Sequence, residues 1–257
     1  MQTGAITEYI DVAQLVLYLF WIFFIGVLIY LRREDKREGY PLQAERPGRV
    51  RIQGFPATPA PKVYLLSDGS TVTVPNPAKD IGDILARPVA PWPGSPLEPI
   101  GNPMLDGVGP AARTPRANKP DRTAEGLPMI VPLQVTGDFV LAAGELDPRG
   151  LEVYGADRVL AGVVQELWVD RTEPQVRYLE VALAGAAGGN VLLPMSFVVI
   201  DDYRRVIKVN ALFAAQFANV PRTQSSQQIT LDEEDRITAY YGGGMLYAAP
   251  NRLGPWL

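Results

Sequence analysis

The side chains able to do chemistry in this sequence are limited by two absences: there is no cysteine and no histidine. Without cysteine there are no disulfides, thiol nucleophiles or cysteine-ligated iron–sulfur clusters. Without histidine the commonest metal and haem ligand is gone, together with the most frequent general base. Proton chemistry would then fall to carboxylates, whose pKa values burial and like-charge neighbours lift toward neutrality. The best-placed mixed-charge group is Asp170-Arg171-Thr172-Glu173-Pro174, followed by Arg177. On residue types alone it reads as an ordinary solvated hairpin loop with a local Asp–Arg pair, because charged side chains are mostly exposed. No nucleophile–base–acid set can be assembled, and no spacing sets two carboxylates around a substrate cleft, which argues against a hydrolase. Gly242-Gly243-Gly244 follows a helical pattern, where glycine ends helices, and reads as a terminator rather than a phosphate loop.

The elements that must position the Asp170–Arg177 stretch are short strands. Val159–Asp170 (VLAGVVQELWVD), Arg177–Leu183 (RYLEVAL), Val191–Met195 and Val206–Ala211 are rich in β-branched residues. Turn signals at Gly185, Gly188-Gly189-Asn190 and Asp201-Asp202 separate them, which predicts a small antiparallel sheet or barrel. A helix follows near 231–241, started by a capping box of Thr230 and Glu233.

Upstream the composition changes. Eighteen of the 24 prolines fall between Pro41 and Pro132. Proline removes backbone donors and fixes φ, so long helices and a continuous central sheet are excluded there. One short strand pair is expected, Val63–Leu66 with Thr71–Val74, joined by Ser67-Asp68-Gly69-Ser70. A disordered linker is the plain alternative. Phe55, Tyr64, Trp92, Met104 and Leu105 are more apolar anchors than a solvated linker needs, which favours an extended arm lying on a partner.

Before the arm, Val12 to Leu31 contains no charged residue, and Gln14 is its only strongly polar side chain. A bilayer core of ~30 Å needs about 20 apolar residues in a helix, so the stretch fits one span. Arg32, Arg33, Lys36 and Arg37 follow it, while Glu8 and Asp11 precede it. The positive-inside rule puts the C-terminal side in the cytoplasm, with a short stub at 1–11 outside. Asp11 is placed to cap the helix. The remainder divides into an arm at 32–128, a barrel-like domain at 129–245 and a tail at 246–257. A net charge of −4 disfavours nucleic acid as a partner.

Four segments carry a resemblance over essentially the whole chain: Arg32–Leu42 (RREDKREGYPL), Gly101–Ala111 (GNPMLDGVGPA), Trp168–Val181 (WVDRTEPQVRYLEV) and Ile229–Pro250 (ITLDEEDRITAYYGGGMLYAAP). In this order behind a single span, they resemble the H subunit of purple-bacterial photosynthetic reaction centres. The resemblance implies a fold: a single transmembrane helix plus a mainly-β cytoplasmic domain around a photosynthetic-reaction-centre (PRC) barrel, with a proline-rich arm and a short C-terminal helix. It implies the L and M subunits and membrane lipids as partners, with an antenna complex and a cytochrome subunit as further candidate neighbours. It implies a bacterial photosynthetic (chromatophore) membrane as location. Bacteriochlorophyll, bacteriopheophytin, quinones and the non-haem iron belong to the partner subunits, and no principal cofactor or metal to this one. Its implied role is accessory rather than enzymatic: covering the cytoplasmic face near the secondary quinone, screening that site from water and guiding protons to it.

Aligning WVD and RYLE puts the family's proton-path carboxylate on Glu173, and its charged neighbours on Asp170 and Arg177. Some relatives carry surface histidines, where protons are thought to enter, in the stretch corresponding to Ala117–Leu127. Here that stretch reads ANKPDRTAEGL, and Asp121 and Glu125 are its only acids. The rival reading is a membrane-anchored adaptor whose barrel binds some other protein.

Overall fold

The structure is a computed structural model that describes residues 11–40, 54–75, 84–92, 94–137, 139–185 and 188–253. Most of the expected N-terminal stub, parts of the arm (41–53, 76–83 and 93) and the last four residues of the tail lie outside the described residues. The chain forms two compact units, residues 1–79 with 90–95, and residues 80–89 with 96–257.

The first unit is built on helix α1, Val12–Asp35, in which no residue is buried. Among the described residues it is the one helix long and apolar enough to cross a membrane, with a mean hydropathy of 2.5. Asp11 caps it as expected, its carboxylate accepting from the Gln14 amide at 2.7 Å. The Gln14 side chain accepts in return from the Asp11 amide, which gives the lone polar residue of the span a local task. Beyond the apolar stretch Glu34 pairs with Arg37 at 2.8 Å and with Lys62 at 2.9 Å. Lys36, 2% exposed, donates to the Pro56 carbonyl at 2.6 Å. This buried contact fixes the chain where it leaves the helix. The expected hairpin is present as β1 (Lys62–Leu65) and β2 (Thr71–Val74), antiparallel. Asp68 closes its turn by accepting from the Ser70 amide at 3.0 Å.

The second unit begins with two short strands, β3 (Ala86–Pro88) and β4 (Leu97–Pro99), and a single-turn helix α2 (Pro103–Asp106). After β5 (Ile130–Pro132) and α3 (Leu133–Thr136) come β6 (Glu152–Tyr154), β7 (Leu160–Asp170), β8 (Gln175–Leu183), β9 (Asn190–Pro194), β10 (Val198–Asp201) and β11 (Val206–Val209). Seven strands join in the order β10-β11-β6-β7-β8-β9, with β5 on the far end of β7. The eleven-residue β7 serves two partners along one edge, β6 near its start and β5 near its end. Register shifts at Val164/Glu166 and Trp168/Val169 kink the β7–β8 ribbon. Such bulges increase twist and curl the sheet into a half-barrel. One neighbour pair, β6–β11, is parallel where an antiparallel sheet was expected. The chain between those strands carries β7 to β10, long enough for the crossover that parallel pairing requires. Trp168, Leu167, Leu179, Leu193, Ile207 and Val209 fill the interior, each at most 1% exposed.

Helix α4, Leu231–Tyr247, packs on this sheet through Ile237 and Tyr241. Its start is the expected capping box: Thr230 Oγ1 accepts from the Glu233 amide at 3.2 Å, and Glu233 from the Thr230 amide at 2.9 Å. Its end corrects the expectation, since the helix runs through Gly242-Gly243-Gly244 instead of stopping there. A Cβ on Gly243 would lie 2.6 Å from the Ala111 Cβ, and one on Gly244 2.5 Å from the Ala211 carbonyl oxygen. The glycines admit neighbouring backbone to the helix side.

That packing also revises the arm. Met104, Val108 and Ala111 are buried, and for this stretch the supporting surface is the chain's own α4 rather than a partner.

Candidate functional site

Asp170 ends β7, opposite Ile130 on one side and Gln175 on the other. Flanked by two strands it is 4% exposed. Its Oδ1 accepts from the Thr172 hydroxyl at 2.6 Å, the Thr172 amide at 2.8 Å and the Glu173 amide at 3.2 Å. Burial pushes the carboxyl up, but these bonds and the positive charge of Arg177 outweigh it and hold Asp170 below its ordinary value. Asp170 is therefore a fixed negative charge that sets the shape of the hairpin loop.

Glu173 stands at the tip of that loop and is exposed. Its backbone is held by Asp170, while its carboxylate accepts from the Gln175 side chain at 3.0 Å. Arg177 is exposed on β8. It forms no ion pair with Asp170 among the described residues, so the local Asp–Arg pair is replaced by an interaction at longer range, felt at Asp170, Tyr178 and Glu234. The three expected residues thus divide into a buried anchor, an exposed carboxylate and a field-setting cation.

Two residues escaped the sequence reading. Tyr178, the next residue after Arg177, is 5% exposed and donates its hydroxyl to Glu234 Oε2 at 3.2 Å. Burial raises the phenol, and the Glu234 charge adds to it. Glu234, half-buried in the first turns of α4, is pushed up chiefly by burial. A signal for it existed: the capping box fixes the helix register, so residues 234, 237, 238 and 241 share one face, which holds the buried Ile237 and Tyr241.

Of the two acids in the 117–127 stretch, Asp121 is exposed and its charge is felt at Glu234. Glu125 is exposed as well and is held low by the Thr123 hydroxyl. Among the described residues no group of three or more acidic side chains is close enough together to hold a metal ion. Two carboxyls, Asp170 and Glu234, are thus displaced in opposite directions around one arginine.

Two protein-family models match this chain. The one described as "Photosynthetic reaction centre, H-chain N-terminal region" covers residues 4–135, and the PRC-barrel domain covers residues 146–215.

Proposed function

Because the chain belongs to the photosynthetic reaction-centre H-chain family, a family of structural subunits, we propose that it caps the L and M subunits on the cytoplasmic side. In that position it stabilises the complex, screens the secondary quinone from water and guides protons to it. The basic residues that follow the apolar stretch of α1, Arg32, Arg33, Lys36 and Arg37, support an N-terminus outside the cytoplasm and the barrel within it. Support for the partners comes from apolar side chains left in the open: Phe55 at 81%, Trp92 at 61%, Ile84 at 61% and Ile100 at 59% exposed. Exposed apolar side chains, found on each of the two units, are what a partner interface uses.

One observation carries the proton-guiding part: a buried, hydrogen-bonded Asp170 presents the exposed Glu173 from a loop it holds in shape. Reducing a quinone to a quinol takes up two protons, and a quinone buried under a protein cap receives them through spaced carboxylates and waters. The subunit then ligates none of the bacteriochlorophyll, bacteriopheophytin, quinone or iron, all of which stay in its partners. The test is Glu173→Gln in the assembled complex, read by flash-induced proton uptake and second electron transfer between roughly pH 6 and pH 9. Glutamine keeps size and hydrogen bonding but exchanges no proton. Slower uptake with unchanged primary charge separation is the expected result. Wild-type rates throughout would reduce Glu173 to a loop carboxylate, and a colourless preparation would favour the adaptor reading.

A further inference from the structure

Three segments of the second unit converge beside the Asp170–Glu173 loop. The Arg171 amide donates to the Met129 carbonyl at 3.0 Å, the Met129 amide to the Asp121 carbonyl at 2.8 Å, and the Leu231 amide to the Lys119 carbonyl at 3.0 Å. Residues 119–121 therefore lie between the hairpin loop and the start of α4. Arg113 pairs with Asp232 at 3.1 Å and Arg116 with Asp235 at 3.6 Å, which ties the preceding residues along the same helix. Glu234 sits at this junction with its carboxylate on the Tyr178 hydroxyl.

Resting on the proton-guiding role of the neighbouring loop, we propose that Glu234 is a second proton-holding group of the same path, loaded from the side of Asp121 and unloaded toward the Asp170–Glu173 loop, with Tyr178 as its positioning residue. Loading forms one O–H bond on the Glu234 carboxylate at the expense of a water or a surface acid. Unloading breaks that bond and protonates a water or the Glu173 carboxylate. No electron moves in either step.

The charges around Glu234 come from three elements. β8 contributes Tyr178 and Arg177, and residues 116–121 contribute Arg116 and Asp121. Its own helix contributes Thr238, which hydrogen-bonds Tyr178, and Asp235, occupied with Arg116. Burial and Asp121 favour the protonated carboxyl, while Tyr178, Arg177 and Arg116 favour the anion. A carboxyl balanced this way exchanges protons closer to neutral pH than an exposed one, as relay work requires. Asp170, held charged under the same arginine, supplies field in place of protons. The capping of α4 is done by Thr230 and Glu233, so Glu234 is not needed for it.

The test compares Glu234→Gln, Tyr178→Phe and Glu173→Gln in the intact, pigmented complex. Two readings are taken: flash-induced proton uptake, and the light-induced infrared signal of protonated carboxyls against pH. Glu234→Gln should remove one carboxyl band and slow uptake by roughly tenfold, less than the ~10²-fold of a sole general acid because water routes run in parallel. Tyr178→Phe should keep the band and move its titration to higher pH, since the lost hydrogen bond favoured the anion. Should the glutamine variant fail to assemble, the tyrosine variant decides, and an unmoved titration overturns the proposal. Slowed uptake in Glu173→Gln beside an unchanged band and rate in Glu234→Gln overturns this inference alone. Wild-type uptake in Glu173→Gln overturns the reading on which it rests.

Discussion

Replacing Gly244 with alanine should destabilise the second unit even though alanine is the better helix former. In an exposed helix interior the change would stabilise by about 1 kcal/mol. Here the new methyl would sit 2.5 Å from both the Ala211 carbonyl oxygen and Leu212 Cδ2. Neither yields easily: Arg252 donates to the Ala211 carbonyl at 3.3 Å, and Leu212 is fully buried. Overpacking of this kind costs about 1–3 kcal/mol, and contact with backbone belongs at the upper end. The net loss is then about 1–2 kcal/mol, or a Tm lower by roughly 2–8 °C in a chain of this size. Gly242 supplies the control, because its added Cβ would meet only the Pro110 carbonyl oxygen at 3.1 Å. Gly242→Ala should fall within about 0.5 kcal/mol of wild type, as a small steric cost offsets the propensity gain. Urea unfolding of the full-length chain in mild detergent, followed by tryptophan fluorescence, reads both variants, since Trp168 reports on the core. If Gly244→Ala is as stable as wild type or more so, propensity governs this helix and the close-approach explanation fails.

Two further outcomes follow from the hydrogen bonds at the site and at the helix start. Asp170→Asn should cost about 1–2 kcal/mol at neutral pH, because bonds to a charged acceptor become bonds to a neutral one. The folded carboxyl is held low, so its stabilisation is present above the ordinary carboxylate pKa of ~4 and is lost as pH falls through the folded value. The difference between wild type and Asp170→Asn should thus close in acid, and a gap independent of pH would contradict the charge-based account. Thr230→Ala should cost about 1 kcal/mol through loss of the α4 cap, checked by amide exchange at Leu231–Glu234. Unchanged exchange there would mean that tertiary packing holds the helix start without the cap.

Where pattern and packing agree, the elements were legible in the residues. The apolar run 12–31 became α1, which continues to Asp35 because solvated charges at 32–35 break no helical rule. The long strands β7 and β8 carry enough β-branched residues to be seen alone, whereas β3, β4, β5 and β6 are three residues each and exist through their neighbours. The glycine run reads as a helix end because a glycine there and one required by a facing backbone look identical in sequence. Only Ala111 and Ala211, more than 30 positions upstream, distinguish them. The parallel pairing of β6 and β11 was hidden for the same reason, since it depends on where a four-strand excursion returns.

The candidate site was legible in its loop and illegible in its depth. Asp170 and Glu173 are three positions apart and of the same chemical type, yet one is a buried acceptor of three hydrogen bonds and the other an exposed tip. The difference is made by β5, which covers Asp170 with Ile130 from a segment 40 positions upstream. Glu234 lies 56 positions from the tyrosine that holds it, and no local spacing predicts that distance. What sequence did contain was helical arithmetic: with Thr230 and Glu233 fixing the first turn, position 234 must share a face with Ile237 and Tyr241. A carboxylate on a face that also carries an isoleucine and a tyrosine is in conflict with its own burial unless something compensates it. Such conflicts are where function is to be sought in a chain that has neither histidine nor cysteine, because burial moves a carboxyl toward the range in which an imidazole titrates.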